Sequence, residues 1–349
     1  MPKISVVMST YNTSIDILQE AVESILWQTF KDFEFIIIDD GSTDDSCGYL
    51  SSITDERVVL IRNQQNLGIT KSLNTGFAAA KGNYIARMDA DDISLPTRFE
   101  KQFDFMERHP NVIACGTNVE YFGAISFATK EKIHDMETYR INTLFYNPGP
   151  MHPTAFFNRA LLERYQITYD ETLTFAQDYG LWTEIAKHGK ICKLSEVLLK
   201  YRVHSQQISI AKQEEQIRCA MMIQRKLLMP LLDNVTEEEL ALHCRYSNRD
   251  YDDAVISKKV TDWYERLMAA NAEKRIYDCK KFNRFVYTVV YKRLICNVLP
   301  DASIEQKIKS FFRWMPFSAA VRTVAEMGIQ KCGNFFAQKQ ERRNVSQDE

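Results

Sequence analysis

Phe33-Glu34-Phe35-Ile36-Ile37-Ile38-Asp39-Asp40-Gly41-Ser42-Thr43-Asp44 (residues 33–44) passes within one step from a nearly continuous apolar run into acids, glycine and hydroxyls. A short apolar run closed by a turn signal is a strand buried on both faces, the kind that parallel sheets are made of. Towards the N-terminus, Ile4-Ser5-Val6-Val7-Met8-Ser9 has the same character and runs into the polar Thr10-Tyr11-Asn12-Thr13. Between these two runs Ile17, Leu18, Ala21, Val22, Ile25 and Leu26 recur at helical spacing. Strand, polar turn, helix, strand predicts an α/β fold with a mostly parallel sheet covered by helices. Val58–Arg62 extends the pattern as a third strand. After the polar segment 63–68, a helix through Leu73, Phe77 and Ala80 ends at Gly82 and leads to a fourth strand.

That fourth strand, Tyr84-Ile85-Ala86-Arg87-Met88, delivers Asp89-Ala90-Asp91-Asp92. Closely spaced carboxylates at a strand end suit a hard cation such as Mg²⁺ or Mn²⁺, which prefers oxygen ligands and leaves positions open for substrate phosphates. A calcium loop is excluded, because Ile93 takes a ligand position, Ser94 stands where the sharp turn needs glycine, and Pro96 follows. A phosphatase with Asp89 as nucleophile lacks the small hydroxylic residue it needs at Ile93. In open α/β sheets ligands sit beyond the carboxyl ends of the strands, where strand order reverses. Thr10 to Asn12, Asp39 with Asp40, and Asp89 with Asp91 collect there. No Gly-x-Gly-x-x-Gly or Gly-Lys-Ser/Thr loop follows a strand, which argues against a dinucleotide dehydrogenase or a P-loop enzyme.

The 349 residues allow one large domain plus an addition, and 45% hydrophobic with 26% charged residues is ordinary for a folded soluble chain. No apolar run reaches the ~18 to 20 residues of a membrane span, and no leader pattern precedes the first strand, so a cytoplasmic location is expected. Eight cysteines without a Cys-x-x-Cys pair argue against a zinc ribbon or disulfide scaffold. The net charge of −2 conceals an asymmetry, since residues 280–343 hold 13 Lys or Arg against 4 Asp or Glu. Beyond residue 209 the composition turns helical, with segments 211–233, 236–271 and 273–298 expected as helices. Two domains follow, 1–209 and a helical 210–349 that is basic and aromatic from about residue 280.

Taken together, these motifs resemble family 2 glycosyltransferases of the GT-A fold, particularly bacterial enzymes of capsule and lipopolysaccharide O-antigen synthesis. The similarity rests on Ser5–Asn12, Ser24–Phe30, Ile38–Asp44, Asn66-Leu67-Gly68, Leu73–Gly76 with Lys81-Gly82, Asp89-Ala90-Asp91 and Pro96–Gln102, in that order. It spans about Lys3 to Ser209. The resemblance implies a UDP-sugar donor with Thr10, Tyr11, Asn12, Asp39 and Asp40 around the base. A carboxylate at Asp39 would accept the imide N–H of uracil, which cytosine lacks. The same residues also suit turn or helix capping. Asn66, Gly68 and Lys71 are implied near ribose and phosphates. Asp89, Ala90 and Asp91 are implied at the ribose and diphosphate, with Asp91, Asp89 and His204 of Tyr201-Arg202-Val203-His204 as ligands of Mn²⁺ or Mg²⁺. Asp92 is expected to cap the next turn.

Phe175-Ala176-Gln177-Asp178-Tyr179 is similar to the family's Glu-Asp box, whose second acid is the general base; here Gln177 replaces the glutamate. Asp178 is therefore the expected catalytic base, and His152, in a Pro/Gly-rich loop, is expected on the acceptor side. The activity implied is inverting, metal-dependent transfer of a hexose or N-acetylhexosamine from a UDP-sugar to a lipid-linked oligosaccharide. The alternative is a catalytically silent sugar-nucleotide or glycan-binding module. A nucleotidyltransferase would want a Gly-rich basic loop after the first strand, which Thr10-Tyr11-Asn12 does not supply. The basic, aromatic C-terminal stretch suits an anionic membrane surface on the inner face of the cytoplasmic membrane, or else a packed helical bundle with a solvated basic face. No nucleic-acid recognition motif accompanies the charge.

Overall fold

The computed structural model describes residues 1–130, 135–204, 212–247, 258–287 and residue 306. Among these, nine strands form one sheet in the order β3-β2-β1-β4-β8-β6-β9-β5, with β7 paired to β6. The strands are β1 (Ile4–Thr10), β2 (Phe33–Asp39), β3 (Val58–Arg62), β4 (Tyr84–Asp89), β5 (Ile93–Ser94), β6 (Val112–Gly123), β7 (Phe127–Ala128), β8 (Phe156–Asn158) and β9 (Lys190–Val203). Pairing of β1 with β2 and β4, and of β2 with β3, is parallel, as expected. Strand order reverses at β1, because its two neighbours are β2 and β4, so a crevice opens at their carboxyl ends.

Helices α1 (Ile15–Leu26), α2 (Ser46–Ser52), α3 (Ile69–Ala79), α4 (Arg98–Arg108), α5 (Met136–Thr143), α6 (Arg159–Arg164) and α7 (Gln177–His188) accompany the sheet, and alternation along the strands builds two cores. Ile4, Val6, Met8, Phe35, Ile37, Ala86 and Met88 face one way, against Leu18, Ala21, Val22 and Ile25 of α1 and Phe99 and Met106 of α4. Val7, Ile36, Ile38 and Ile85 face the other way, against Leu73 of α3 and Leu181, Trp182 and Ile185 of α7. Both faces of the parallel half are thus covered, the condition for such apolar strands. This is the GT-A arrangement of a mostly parallel sheet flanked by helices.

The chain divides into two compact units, Met1–Lys226 and Leu227–Glu349. The expected boundary between 209 and 210 lies outside the described residues. In the first unit, helix Gln213–Leu228 begins after that point, and its Gln224 donates to the Phe145 carbonyl at 3.1 Å. The second unit holds helices Glu237–Ser247, Lys258–Lys274 and Cys279–Phe285. The helix expected from residue 273 starts later than predicted, because Arg275 takes φ 51° and Asn271 bonds both backbone groups of Tyr277. Asp278 then caps the restart through Lys281 N–H at 2.8 Å. No helix of the described residues is long and apolar enough to cross a membrane. Apart from residue 306, the basic, aromatic stretch beyond residue 287 lies outside them.

Candidate active site

Parallel register sets Thr10 beside Asp39 and Ser9 beside Asp89, so the loops after β1, β2 and β4 leave the sheet side by side. Asn12, with φ 49°, ties the first loop to the second: its N–H donates to Ser42 Oγ at 3.0 Å and its Oδ1 accepts from Thr43 N–H at 2.9 Å. Thr10 is buried and donates its hydroxyl to Thr13 at 2.9 Å. Gly41 presses the second loop onto the third, where a Cβ would meet the Gln65 carbonyl carbon at 2.6 Å. On these joined loops Tyr11 and Leu67 stay 46% and 40% exposed, two apolar surfaces for a flat ring.

Asp39 and Asp40 divide their work. Asp39 is fully buried; its Oδ1 accepts from Ser42 N–H at 2.9 Å and its Oδ2 pairs with Arg62 Nε at 3.0 Å. Asp40, implied at the base, instead gives its carboxylate to the third loop, accepting from Asn63 Nδ2 (2.7 Å), Leu67 N–H (2.9 Å) and Gly68 N–H (2.9 Å). Those bonds hold Gly68 at φ 89°, where it opens α3, and Asn66 Oδ1 accepts from the same Gly68 N–H at 3.1 Å. Lys71 stands exposed on the first turn of α3.

The acidic centre follows β4. Carboxylate oxygens of Asp89, Asp91 and Asp92 lie within 4.8 Å of one another. Ala90 between them is buried in the core. Asp92, expected to cap a turn, instead turns inward: it is 1% exposed, accepts from Arg202 N–H at 2.9 Å, and leaves Oδ2 buried without a hydrogen bond. The reason is the antiparallel return of β9 beside β5, which brings the Arg202 backbone over it. Burial, then the charges of Asp89 and Asp91, push the Asp92 carboxyl well above its ordinary value. Three crowded carboxylates of which one keeps an unsatisfied oxygen are a hard-oxygen donor set, and a bound cation would relieve their repulsion, so the residues fit Mg²⁺ or Mn²⁺. His204 Nε2 meets Asp91 Oδ2 at 3.1 Å, which brings the third expected ligand to the cluster.

Two arginines that the sequence reading did not single out hold this centre. Arg87, 2% exposed, pairs through Nη2 with Asp89, and its Nε and Nη1 have no hydrogen-bond partner. Burial raises the Asp89 carboxyl, and Arg87 opposes that rise. The signal was a charged residue in the middle of an otherwise apolar strand. Arg202 donates from Nε to the Asp91 carbonyl at 2.8 Å and pairs with Glu20.

Across the crevice, Asp178 lies in the first turn of α7, where the helix dipole favours a carboxylate. Ala176, at φ 54°, sets the entry to that helix. Asp178 Oδ2 accepts from Asn147 Nδ2 at 2.8 Å, and Asn147 rides on a loop whose Gly149 packs flat against Trp182. Burial raises the Asp178 carboxyl, while the Tyr179 N–H, Asn147 and Arg87 restrain it. Asp178 in turn adds to the rise of Asp89, so the two acids share one electrostatic neighbourhood. Gln177 stands half-buried at the helix start. His152, expected to line the acceptor side, is 8% exposed and bonded to the Tyr169 hydroxyl at 2.7 Å, so it supports the floor. Burial, then Arg87, holds its pKa well below the usual histidine range.

Residues 5–166 match the family model described as glycosyl transferase family 2. An uncharacterized glycosyltransferase of Haemophilus influenzae is 31% identical over 250 residues, 67% of this chain and 76% of its own length. The Escherichia coli UDP-Glc:alpha-D-GlcNAc-diphosphoundecaprenol beta-1,3-glucosyltransferase WfaP is 30% identical over 227 residues, 62% of this chain and 84% of its own. Among solved structures, S. aureus TarS 1-349 in complex with UDP-GlcNAc superposes with a TM-score of 0.58 at 17% identity, covering 90% of this chain and 93% of that one, a likeness of fold. With the site's geometry and these matches together, the chain belongs to glycosyl transferase family 2 and is a glycosyltransferase.

Proposed function

We propose that the chain transfers a hexose or N-acetylhexosamine, with inversion, from a UDP-sugar to a lipid-linked saccharide in the synthesis of a bacterial surface polysaccharide. The observation that carries this reading is the pairing across one crevice of the acidic centre, Asp89, Asp91 and Asp92, with the separately held carboxyl of Asp178. Tyr11 and Leu67 offer the uracil ring its apolar contact, Asp39 accepts its imide N–H once the half-exposed Arg62 that covers its Oδ2 moves aside, and Asp40 fixes Gly68 where the ribose and phosphates pass. Asp91, Asp89, Asp92 and His204 would hold Mn²⁺ or Mg²⁺, which when bound supplies Lewis-acid neutralisation of the departing diphosphate. Asp178 takes the proton of the acceptor hydroxyl as that oxygen attacks the anomeric carbon opposite UDP, while Asn147 keeps the carboxylate aimed. An acceptor ending in a lipid diphosphate is supported by the E. coli relative, whose name specifies one. Residues 1–209 carry the donor and base chemistry in this reading, at the inner face of the cytoplasmic membrane.

The test is a panel of UDP-glucose, UDP-galactose and their N-acetyl forms offered with a lipid-diphosphate-linked saccharide, the product linkage being read by NMR. UDP-sugars are α-linked, so a β-linked product is expected. An α-linked product would overturn the inverting mechanism, and failure of every UDP-sugar to turn over would overturn the assignment of the base.

A further inference from the structure

Residues 122–128, Phe122-Gly123-Ala124-Ile125-Ser126-Phe127-Ala128, carry no charge and close the hairpin between β6 and β7. Ile125 and Phe127 are 45% and 53% exposed. Phe127 rests one face on Tyr121, with ring centroids 4.4 Å apart and planes 18° from parallel, and turns the other to solvent. Tyr121 in turn meets Tyr201 edge-on at 5.3 Å. The hairpin is bound to the strand that serves the acidic centre: Gly123 pairs with Val203, and Ala124 N–H donates to the Val203 carbonyl at 3.1 Å. At Gly123, with φ 97°, an added Cβ would meet that carbonyl at 2.6 Å, so glycine lets the turn lie tight against β9. Arg202 and His204, on either side of Val203, hold Asp92 and Asp91.

We infer that this hairpin is the enzyme's contact with the lipid bilayer, its Ile125 and Phe127 entering the interfacial layer beside the catalytic crevice. The inference rests on the lipid-linked acceptor of the preceding section and adds the element that reaches the lipid. A single sugar joined to lipid by a diphosphate, the acceptor that the E. coli relative's name specifies, keeps its reacting hydroxyl close to the headgroup layer. Some part of the crevice rim must therefore touch the surface while Asp178 reaches that hydroxyl. An uncharged tip with an aromatic and a branched aliphatic residue suits the headgroup–acyl boundary. Insertion of this kind is apolar, so it persists in salt that screens attraction between Lys or Arg and anionic lipid.

The experiment uses the full chain and an Ile125→Ser/Phe127→Ser double variant, floated with phosphatidylcholine vesicles with and without phosphatidylglycerol, in low and high salt. Wild type is expected to float with both, and the variant to lose binding by roughly 10-fold or more with its UDP-sugar hydrolysis unchanged. Its KM for acceptor embedded in vesicles should rise by a similar factor, with the donor KM unaltered. Wild type that fails to float in high salt, or a variant that floats and turns over vesicle-borne acceptor as wild type does, would overturn the inference. So would a variant whose only change is loss of self-association, which would make the tip a protein contact. Failure of every UDP-sugar to turn over would count against the donor reading instead, because flotation is scored independently of catalysis.

Discussion

Asp178 and Asp91 are asked for different chemistry, and single substitutions separate them. Asp178→Asn keeps the Asn147 contact and the fold but cannot take a proton, so UDP binding should survive while transfer falls by roughly 10²-fold or more; normal turnover would move the base elsewhere. Asp170 and Glu171 are poor substitutes, because Asp170 is tied to Lys226 at 2.8 Å and Glu171 to Asn74 at 3.0 Å. Since burial raises the Asp178 carboxyl, and only its ionised form works, the acid limb of the kcat profile should lie above the ordinary aspartate value. The same shift acts on stability with the opposite sense. A folded pKa above the unfolded one means that the native state binds more protons, so this group's contribution is greatest at low pH and is lost as pH rises through its folded pKa. Arg87→Met should leave Asp89 and Asp92 without their buried counter-charge and cost about 2–3 kcal/mol in denaturant melts. That is below the range for a fully buried pair, because a quarter of the Asp89 side chain remains exposed; an unchanged midpoint would show the pair to be idle. The positions of Asp39, Asp89 and Asp91 at strand ends and of Asp178 at a helix start were legible because each sits in a motif of fixed order. Arg87 left only the signal of a charge inside an apolar strand, with its burial and its Asp89 partner unread, and the inward turn of Asp92 was not legible, since it depends on which strand returns over the site.

At the level of elements, the parallel half of the sheet was readable because β1 to β4 are apolar runs bounded by turn residues. The strand β9 was harder. Lys190–Val203 mixes charged and apolar residues over a half-buried course, and its register against β6 shifts in three places, so neither strict alternation nor a continuous apolar run marks it. That strand nonetheless delivers Arg202 and His204. The loop 147–151 is a second such case, because its tightness depends on Gly149 meeting Trp182, where a Cβ would lie 2.1 Å from the indole Cδ1. Gly149→Ala must displace the loop or the indole, at about 1–3 kcal/mol of overpacking. Because Asn147 belongs to that loop, transfer should fall more than donor binding does; equal losses in both would point to a general loss of structure instead.

For the whole molecule, the change of composition near residue 209 marked where helices take over, but the compact first unit extends to Lys226. Cys219, Ala220 and Ile223 of helix Gln213–Leu228 are buried, and Gln224 reaches Phe145. A chain cut after Lys226 should therefore melt higher than one cut after Ser209; equal melting temperatures would make residues 213–226 dispensable to the first unit. No periodicity could reveal this, because one amphipathic helix looks the same whichever unit it packs on. The reading of the molecule as a cation-assisted UDP-sugar transferase is most exposed in a single assay: UDP release from the UDP-sugar panel by the full chain in Mn²⁺, in excess chelator, and after Mn²⁺ is restored. Turnover that is lost in chelator, regained with the cation and absent throughout in Asp91→Ala is the expected result; full turnover in chelator would contradict it.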